Sequence, residues 1–190
     1  CLVLVGLTVM IFGNIEDRMK DVLYENTLQS YKTEVKSEVQ SAISSIEYYY
    51  NLSDSGKIDE ATAKKDALEA LRNLRYGDDD SGYFWVDDTD YNLVMHPILP
   101  EQEGTNRYDL TDKNGVKIIQ SIMKTAESGG GFNEFYFTKS DGKTVAPKVA
   151  YSQKFDKWNW VITTGIYSDD IHEIVNKSDG LRRIVKIFNG

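Results

Sequence analysis

Between Gly13 and Gly56 the chain contains neither glycine nor proline, the two residues that most readily interrupt a helix. Across that stretch Ile15, Met19, Val22, Leu28, Tyr31, Val35, Val39, Ile43, Ile46 and Tyr50 recur mostly at three- or four-residue intervals, with charged and polar residues between them. That spacing marks one face of an α-helix. About 36 residues at 1.5 Å per residue reach roughly 54 Å, far longer than an average globular helix. Such a helix constrains everything after it, because its apolar stripe must be covered by a partner helix, a sheet, or both.

The segment before it, CLVLVGLTVMIFG over residues 1–13, is uncharged and almost wholly apolar. It is shorter than the roughly 20 residues that span a bilayer. We read it as the outer end of a transmembrane helix. The alternative is the core of a signal peptide, but no basic region and no small-residue cleavage site accompany the run. The single cysteine, Cys1, excludes an internal disulfide and a multi-cysteine metal site in this chain.

Past Gly56 the pattern shortens. NLSDSGKID reads as a turn, with Asp59 as N-cap of a second helix over 59–75. Leu68, Leu71, Arg72 and Arg75 share one face of that helix, so two arginines lie among its apolar positions. Their stems either pack while the charged heads reach water, or the charges serve a ligand.

From Asp78 the period changes from 3.6 to 2, with DDDSG at the boundary. Strands are expected over 82–87, 91–96, 131–138, 144–154 and 158–167, turning at DDTD, SDG and FDKW, with one helix over 115–127. The result is an α+β fold: a long N-terminal helix, a five-stranded antiparallel sheet and flanking helices. A last helix starts at Ser168, and residues 176–190 form a basic amphipathic juxtamembrane or added tail. The globular part is then a single domain over 14–175.

With 22 Lys and Arg against 30 Asp and Glu, the net charge of -8 argues against a nucleic-acid partner. A small anion bound to this chain needs a local group of cations. Neither a nucleophile elbow nor a phosphate loop is present, and Gly129 to Gly131 read as a helix stop. His96 and His172 lie on separate elements, so no metal centre is expected, and the Asp-rich stretches lack calcium-loop spacing. No cofactor is implied.

The residues left unexplained gather around YFWVDDTDYNLVMHPILP, residues 83–100. Tyr83 and Trp85 share one strand face; Val94 and His96 share a face of the next, with Met95 opposite. Pro97 holds His96 extended. In TVAPKVAYSQKF, Lys148 is flanked by Pro147, Val149 and Ala150. It is either an anion ligand or a charge guarding an edge strand, a reading that the edge-loving Pro147 supports.

The order LRNLRYGDDDSGYFWVDD, LVMHPILPEQEGTNRYDLTDKNG, GGGFNEFYF and APKVAYSQKFDKWNWVITTGIYSDDI resembles the single Cache sensor domains of the sCache_2 type, over about Glu16 to Glu173. The resemblance implies a PAS-like sheet behind a long helix, on the outer side of a bacterial membrane. It implies an extracellular or periplasmic sensor in a chemoreceptor or other transmembrane receptor, with cytoplasmic signalling modules beyond. It implies a pocket for a small carboxylate such as acetate, propionate, lactate or pyruvate at the positions of Arg75, Tyr83, Trp85, Met95, His96 and Lys148. Phe135 and Phe137 stand where the family often has tyrosine and tryptophan. The expected roles are an aromatic wall from Tyr83 and Trp85, apolar fill from Met95, positive charge from Arg75 and Lys148, and a His96 hydrogen bond that strengthens on protonation. The expected assembly is a homodimer through the N-terminal helix. Two other readings fit the sequence: a periplasmic or secreted enzyme using His96 with a carboxylate such as Asp87, and a ligand-free dimerisation module.

Overall fold

The computed structural model describes residues 2–77, 80–139 and 141–188. Its elements are α1 (Leu2–Asp54), α2 (Glu60–Asn73), β1 (Trp85–Asp88), β2 (Leu93–Met95), α3 (Ile118–Glu127), β3 (Gly131–Thr138), β4 (Val145–Phe155), β5 (Trp160–Tyr167) and α4 (Ser168–Phe188). This is the expected α+β architecture, and the sheet is antiparallel in the order β2-β1-β5-β4-β3. The chain divides into two compact units, one of Lys32–Tyr167 and one of Cys1–Tyr31 with Ser168–Gly190.

Within Lys32–Tyr167 the sheet is covered on both faces. On one, Val35, Val39, Ala42 and Ile46 of α1 and Ala63, Ala67 and Leu71 of α2 pack with Phe84, Val86, Met95 and Ile162. On the other, Ile118, Ile119, Ile122 and Met123 of α3 pack with Tyr83, Trp85, Leu93, Phe135, Phe137 and Val161. The heptad-like stripe of α1 and the alternation of the strands thus meet in one core, as hydrophobic periodicity requires. In the other unit, Tyr24 of α1 stacks on His172 of α4 at 4.3 Å between ring centroids.

Several local signals act as expected. Asp59 caps α2 by accepting the Thr62 N–H at 2.9 Å. In the DDTD turn, Asp88 Oδ1 accepts the N–H groups of Asp90 and Asn92. Gly129 and Gly130, both at positive φ, follow the end of α3. Asp78 and Asp79 of the DDDSG boundary lie outside the described residues, as do Cys1 and the side chains of the apolar run and of the last part of the tail. Among the described residues no helix is long and apolar enough to cross a membrane.

Three expectations are corrected. Helix α2 stops at Asn73, because Leu74 turns extended at φ -72, ψ 129, so Arg75 is not on the helical face of Arg72. A β-bulge interrupts the β1–β2 register: Val86 pairs with Met95 but Asp87 with Leu93. The extra residue, Val94, breaks strict alternation. Val94 and Met95 both pack with the α1/α2 face, whereas His96 turns to the α3 face beside Tyr83 and Trp85. Lys148 guards no edge, for β4 lies between β3 and β5. Pro147 is tolerated there because the β4–β5 ladder begins only at the Lys148–Tyr167 pair.

Candidate ligand-binding site

Lys148 carries its ammonium into the interior of the Lys32–Tyr167 unit with 1% of the residue exposed. The register with β5 places Tyr167 directly opposite, and Tyr83, two residues before β1, reaches the same ammonium. Lys148 Nζ donates to Tyr83 Oη at 3.0 Å and to Tyr167 Oη at 3.3 Å. Both hydroxyls donate in turn to the Thr138 carbonyl, at 3.2 and 2.5 Å, which leaves their oxygens free to accept from the ammonium. The ring faces of Tyr83, Trp85 and Tyr167 lie 4.2, 4.8 and 4.6 Å from Nζ. Their quadrupoles and hydroxyl dipoles soften the cost of burying this cation without a formal counter-charge. Among the described residues no carboxylate pairs with it. Burial lowers the Lys148 pKa, and the Tyr83 hydroxyl opposes that shift.

His96 closes the other side of this aromatic group. Its ring lies 5.5 Å from Tyr83, 6.0 Å from Trp85 and 5.9 Å from Phe137. Nδ1 accepts the N–H groups of Ile98 and Leu99 at 3.2 and 3.1 Å. An acceptor nitrogen carries no proton, so the neutral ring bears its hydrogen on Nε2. That Nε2 is buried and has no partner. Burial, then the charges of Arg107, Lys148 and Arg72, lower the imidazole pKa from 6.5 to about 3.

A buried ion pair lies on the same side. Arg107 donates from Nε to Asp87 Oδ1 at 3.0 Å and from Nη2 to the same oxygen, while Arg107 Nη1 and Asp87 Oδ2 have no partner. Burial pushes the Asp87 carboxyl above its ordinary value, and the Arg107 guanidinium works against that shift. Trp85 Nε1 lies beside this carboxylate without completing a hydrogen bond. Asp87 is therefore engaged by Arg107 rather than by His96, and the acid–base pair of the enzyme reading is not assembled.

Of the six residues expected from sequence, Tyr83, Trp85, His96 and Lys148 converge. Met95 lies in the core between the sheet and α1/α2. Arg75 is half-buried, with Nη1 donating to the carbonyls of Arg72 and Leu74 at 2.8 and 2.9 Å. Two residues of the cluster escaped the sequence reading, Tyr167 and Arg107. Tyr167 was accessible by counting back from the DKWN turn, since the Phe155–Trp160 pair sets Lys148 opposite Tyr167. Arg107 lies in a polar loop with no periodicity to report its burial.

A five-stranded antiparallel sheet behind a long helix, with unmatched buried donors on the face away from that helix, defines a PAS-like sensory module. More narrowly, the chain belongs to the Single Cache domain 2 family, whose profile matches residues 27–179. It is 34% identical over 159 residues to the sensor histidine kinase MctS of Rhizobium johnstonii, covering 84% of this chain and 33% of that protein. It is 27% identical over 150 residues to the methyl-accepting chemotaxis protein McpP of Pseudomonas putida, covering 78% of this chain and 27% of that one. The chain thus spans about a third or less of these relatives. Among solved structures, a periplasmic sensor domain of a chemotaxis protein superposes with a TM-score of 0.70 at 32% identity, covering 74% of this chain and 96% of that one. A Cache chemosensory domain described for carboxylic acid recognition gives 0.70 at 26% identity, over 75% and 97% of the two chains. The chain is a Cache sensor domain homologous to the ligand-binding domains of chemoreceptors and sensor kinases.

Proposed function

We propose that this domain binds a small carboxylate of the acetate, propionate, lactate or pyruvate class, without turning it over, and reports it to a receptor. One observation carries the reading: the Lys148 ammonium is buried with hydroxyls and ring faces as partners but no anion among the described residues. A ligand carboxylate supplies the missing counter-charge, and the unpartnered His96 Nε2–H is a donor for its oxygens, while Arg107 and Trp85 Nε1 are set against Asp87. The best tiny ligands gain about 1.5 kcal/mol per heavy atom, so four to six atoms allow roughly 6 to 9 kcal/mol. That corresponds to dissociation constants from tens of micromolar to just below one. The relatives support the remainder of the proposal: a bacterial membrane receptor, by preference a methyl-accepting chemotaxis protein, with this domain extracellular or periplasmic. In that receptor residues 1–13 end a transmembrane helix, cytoplasmic modules take the output, and ligand acts by biasing the arrangement of the helices, for which a difference in affinity between two states suffices.

Calorimetry with two- to four-carbon acids on wild type and Lys148→Met tests this. Methionine keeps most of the apolar stem and removes the charge, so the free domain should melt at the same temperature or higher. Affinity should fall by about 1.5 to 3 kcal/mol, roughly tenfold to more than a hundredfold. Equal affinity in both proteins would remove Lys148 from the site, and a wild type that binds no acid of the panel would defeat the reading altogether.

A further inference from the structure

Every group proposed to meet the ligand is buried: Tyr83, Trp85, His96 and Lys148 are each 2% exposed or less. An anion can reach them only if some part of the domain opens. The segment between β2 and Gly104 is built for that. It follows His96 with Pro97 and ends at Gly104, whose φ of +81 lies in the region open mainly to glycine. Among the described residues no backbone hydrogen bond joins 97–103 to the sheet: Pro97 and Pro100 have no N–H, Ile98 and Leu99 donate to the His96 ring, and Gln102 and Glu103 donate to Leu99 and Pro100. Ile98 and Leu99 lie on the aromatic cluster that includes Tyr83, Trp85 and Phe137.

One carboxylate fastens the segment to the rest of the domain. Glu103 Oε1 accepts from Arg72 Nη1 at 2.7 Å and from the His96 N–H at 2.8 Å, and Glu103 Oε2 accepts from Arg72 Nη2 at 2.9 Å. This two-pronged geometry is the strongest an arginine makes with a carboxylate. Both side chains keep about a quarter to a third of their surface in water, at 30% for Arg72 and 25% for Glu103, so the pair can part and be rehydrated. Arg72 sits near the end of α2, whose Leu71 is in the core shared with α1.

We propose that Arg72 and Glu103 are positioning residues that latch segment 97–103 shut over the site, so that anions exchange only when this pair opens, and that the same carboxylate ties the backbone of the site histidine to α2. The latch deepens the carboxylate reading by naming its entrance, but its first test is independent of any ligand. Amide exchange by NMR on the 190-residue chain compares wild type with Arg72→Met and Glu103→Gln. Methionine removes both arginine hydrogen bonds; glutamine removes the charge while keeping an acceptor for the His96 N–H. Exchange at Ile98 and Leu99 should accelerate roughly tenfold or more in both variants, with Val161 and Ile162 of the central strand unchanged, as for a local opening. Unchanged exchange at Ile98 and Leu99, or equal acceleration at Val161, would overturn the latch, the second because it signals global destabilisation. The other arm uses acetate as the probe: line-shape analysis should show association and dissociation rising together in the variants, with affinity changing less than either rate. Acetate rates that stay at wild-type values would overturn the gating role. If the chain binds no acid while the exchange result holds, the carboxylate reading fails and the latch stands.

Discussion

A histidine whose imidazole is kept neutral behaves differently from the charge-gaining donor expected from sequence. With Nδ1 occupied by two backbone amides and the pKa lowered to about 3, first by burial and then by Arg107, Lys148 and Arg72, His96 offers an uncharged Nε2–H across ordinary pH. His96 therefore gives no protonation step between about pH 5.5 and 8 on which to strengthen binding. The consequence lies in stability. An unfolded imidazole takes up its proton near pH 6.5 and the folded one only near 3, so between those values the unfolded state binds more protons and stability falls as pH falls. The slope from this group is at most about 1.4 kcal/mol per pH unit. Urea unfolding of wild type and His96→Gln at several pH values from about 8 to 4.5 isolates it from the carboxylates. The wild type should lose stability faster than the variant only below about pH 6.5; parallel curves would mean that the folded imidazole titrates normally. At this scale the sequence exposed Tyr83, Trp85, His96 and Lys148, because aromatic, histidine and lysine side chains are conspicuous in apolar strands. It hid Arg107, since a loop arginine looks the same whether solvated or buried.

Elements were more legible than the details of their pairing. Turn residues and period-2 patterns located all five strands, and the hairpin turn even fixes the Lys148–Tyr167 register. What no alternation rule reports is the bulge at Val94, which puts Val94 on the face of Met95 rather than on that of His96. The same holds for Arg75, since an apolar period can run past the point where the backbone leaves the helix. Close approach between strands is likewise invisible in a sequence. Gly165 of β5 faces Ala150 of β4, and a Cβ added there would lie 2.4 Å from the Val149 carbonyl oxygen and 2.7 Å from Ala150 Cα. Those are backbone atoms of a central strand pair that carries Lys148 and Tyr167, so they cannot yield without moving the site. Gly165→Ala should destabilise the domain by about 1 to 3 kcal/mol, as overpacking typically does. The melting temperature measures that loss, and an unchanged value would show that the β4–β5 spacing relaxes freely.

For the whole molecule, the question left by the long helix is what covers the apolar residues near its start. In the Lys32–Tyr167 unit the stripe is buried: Val35, Val39 and Ile46 are fully enclosed. Earlier on α1, Ile15, Met19 and Val22 are 48%, 53% and 60% exposed, and they share a helical face of their own at i, i+4 and i+7. Three large apolar side chains on one helical face favour a second copy of the same helix, since such a seam gains free energy only when another apolar stripe meets it. We propose a parallel homodimer through this part of α1, in keeping with the expectation from sequence, and weak in the isolated chain because a shared membrane no longer concentrates the partners. Sedimentation equilibrium over a wide concentration range should show a monomer–dimer equilibrium that Met19→Glu shifts towards monomer, because like charges would face each other across the seam. Acid binding at the Lys148 site should survive in that variant, since the sheet and its cations lie in the other compact unit. A wild type that stays monomeric at millimolar concentration with acetate present would exclude this seam, and association unaffected by Met19→Glu would place the dimer on another surface.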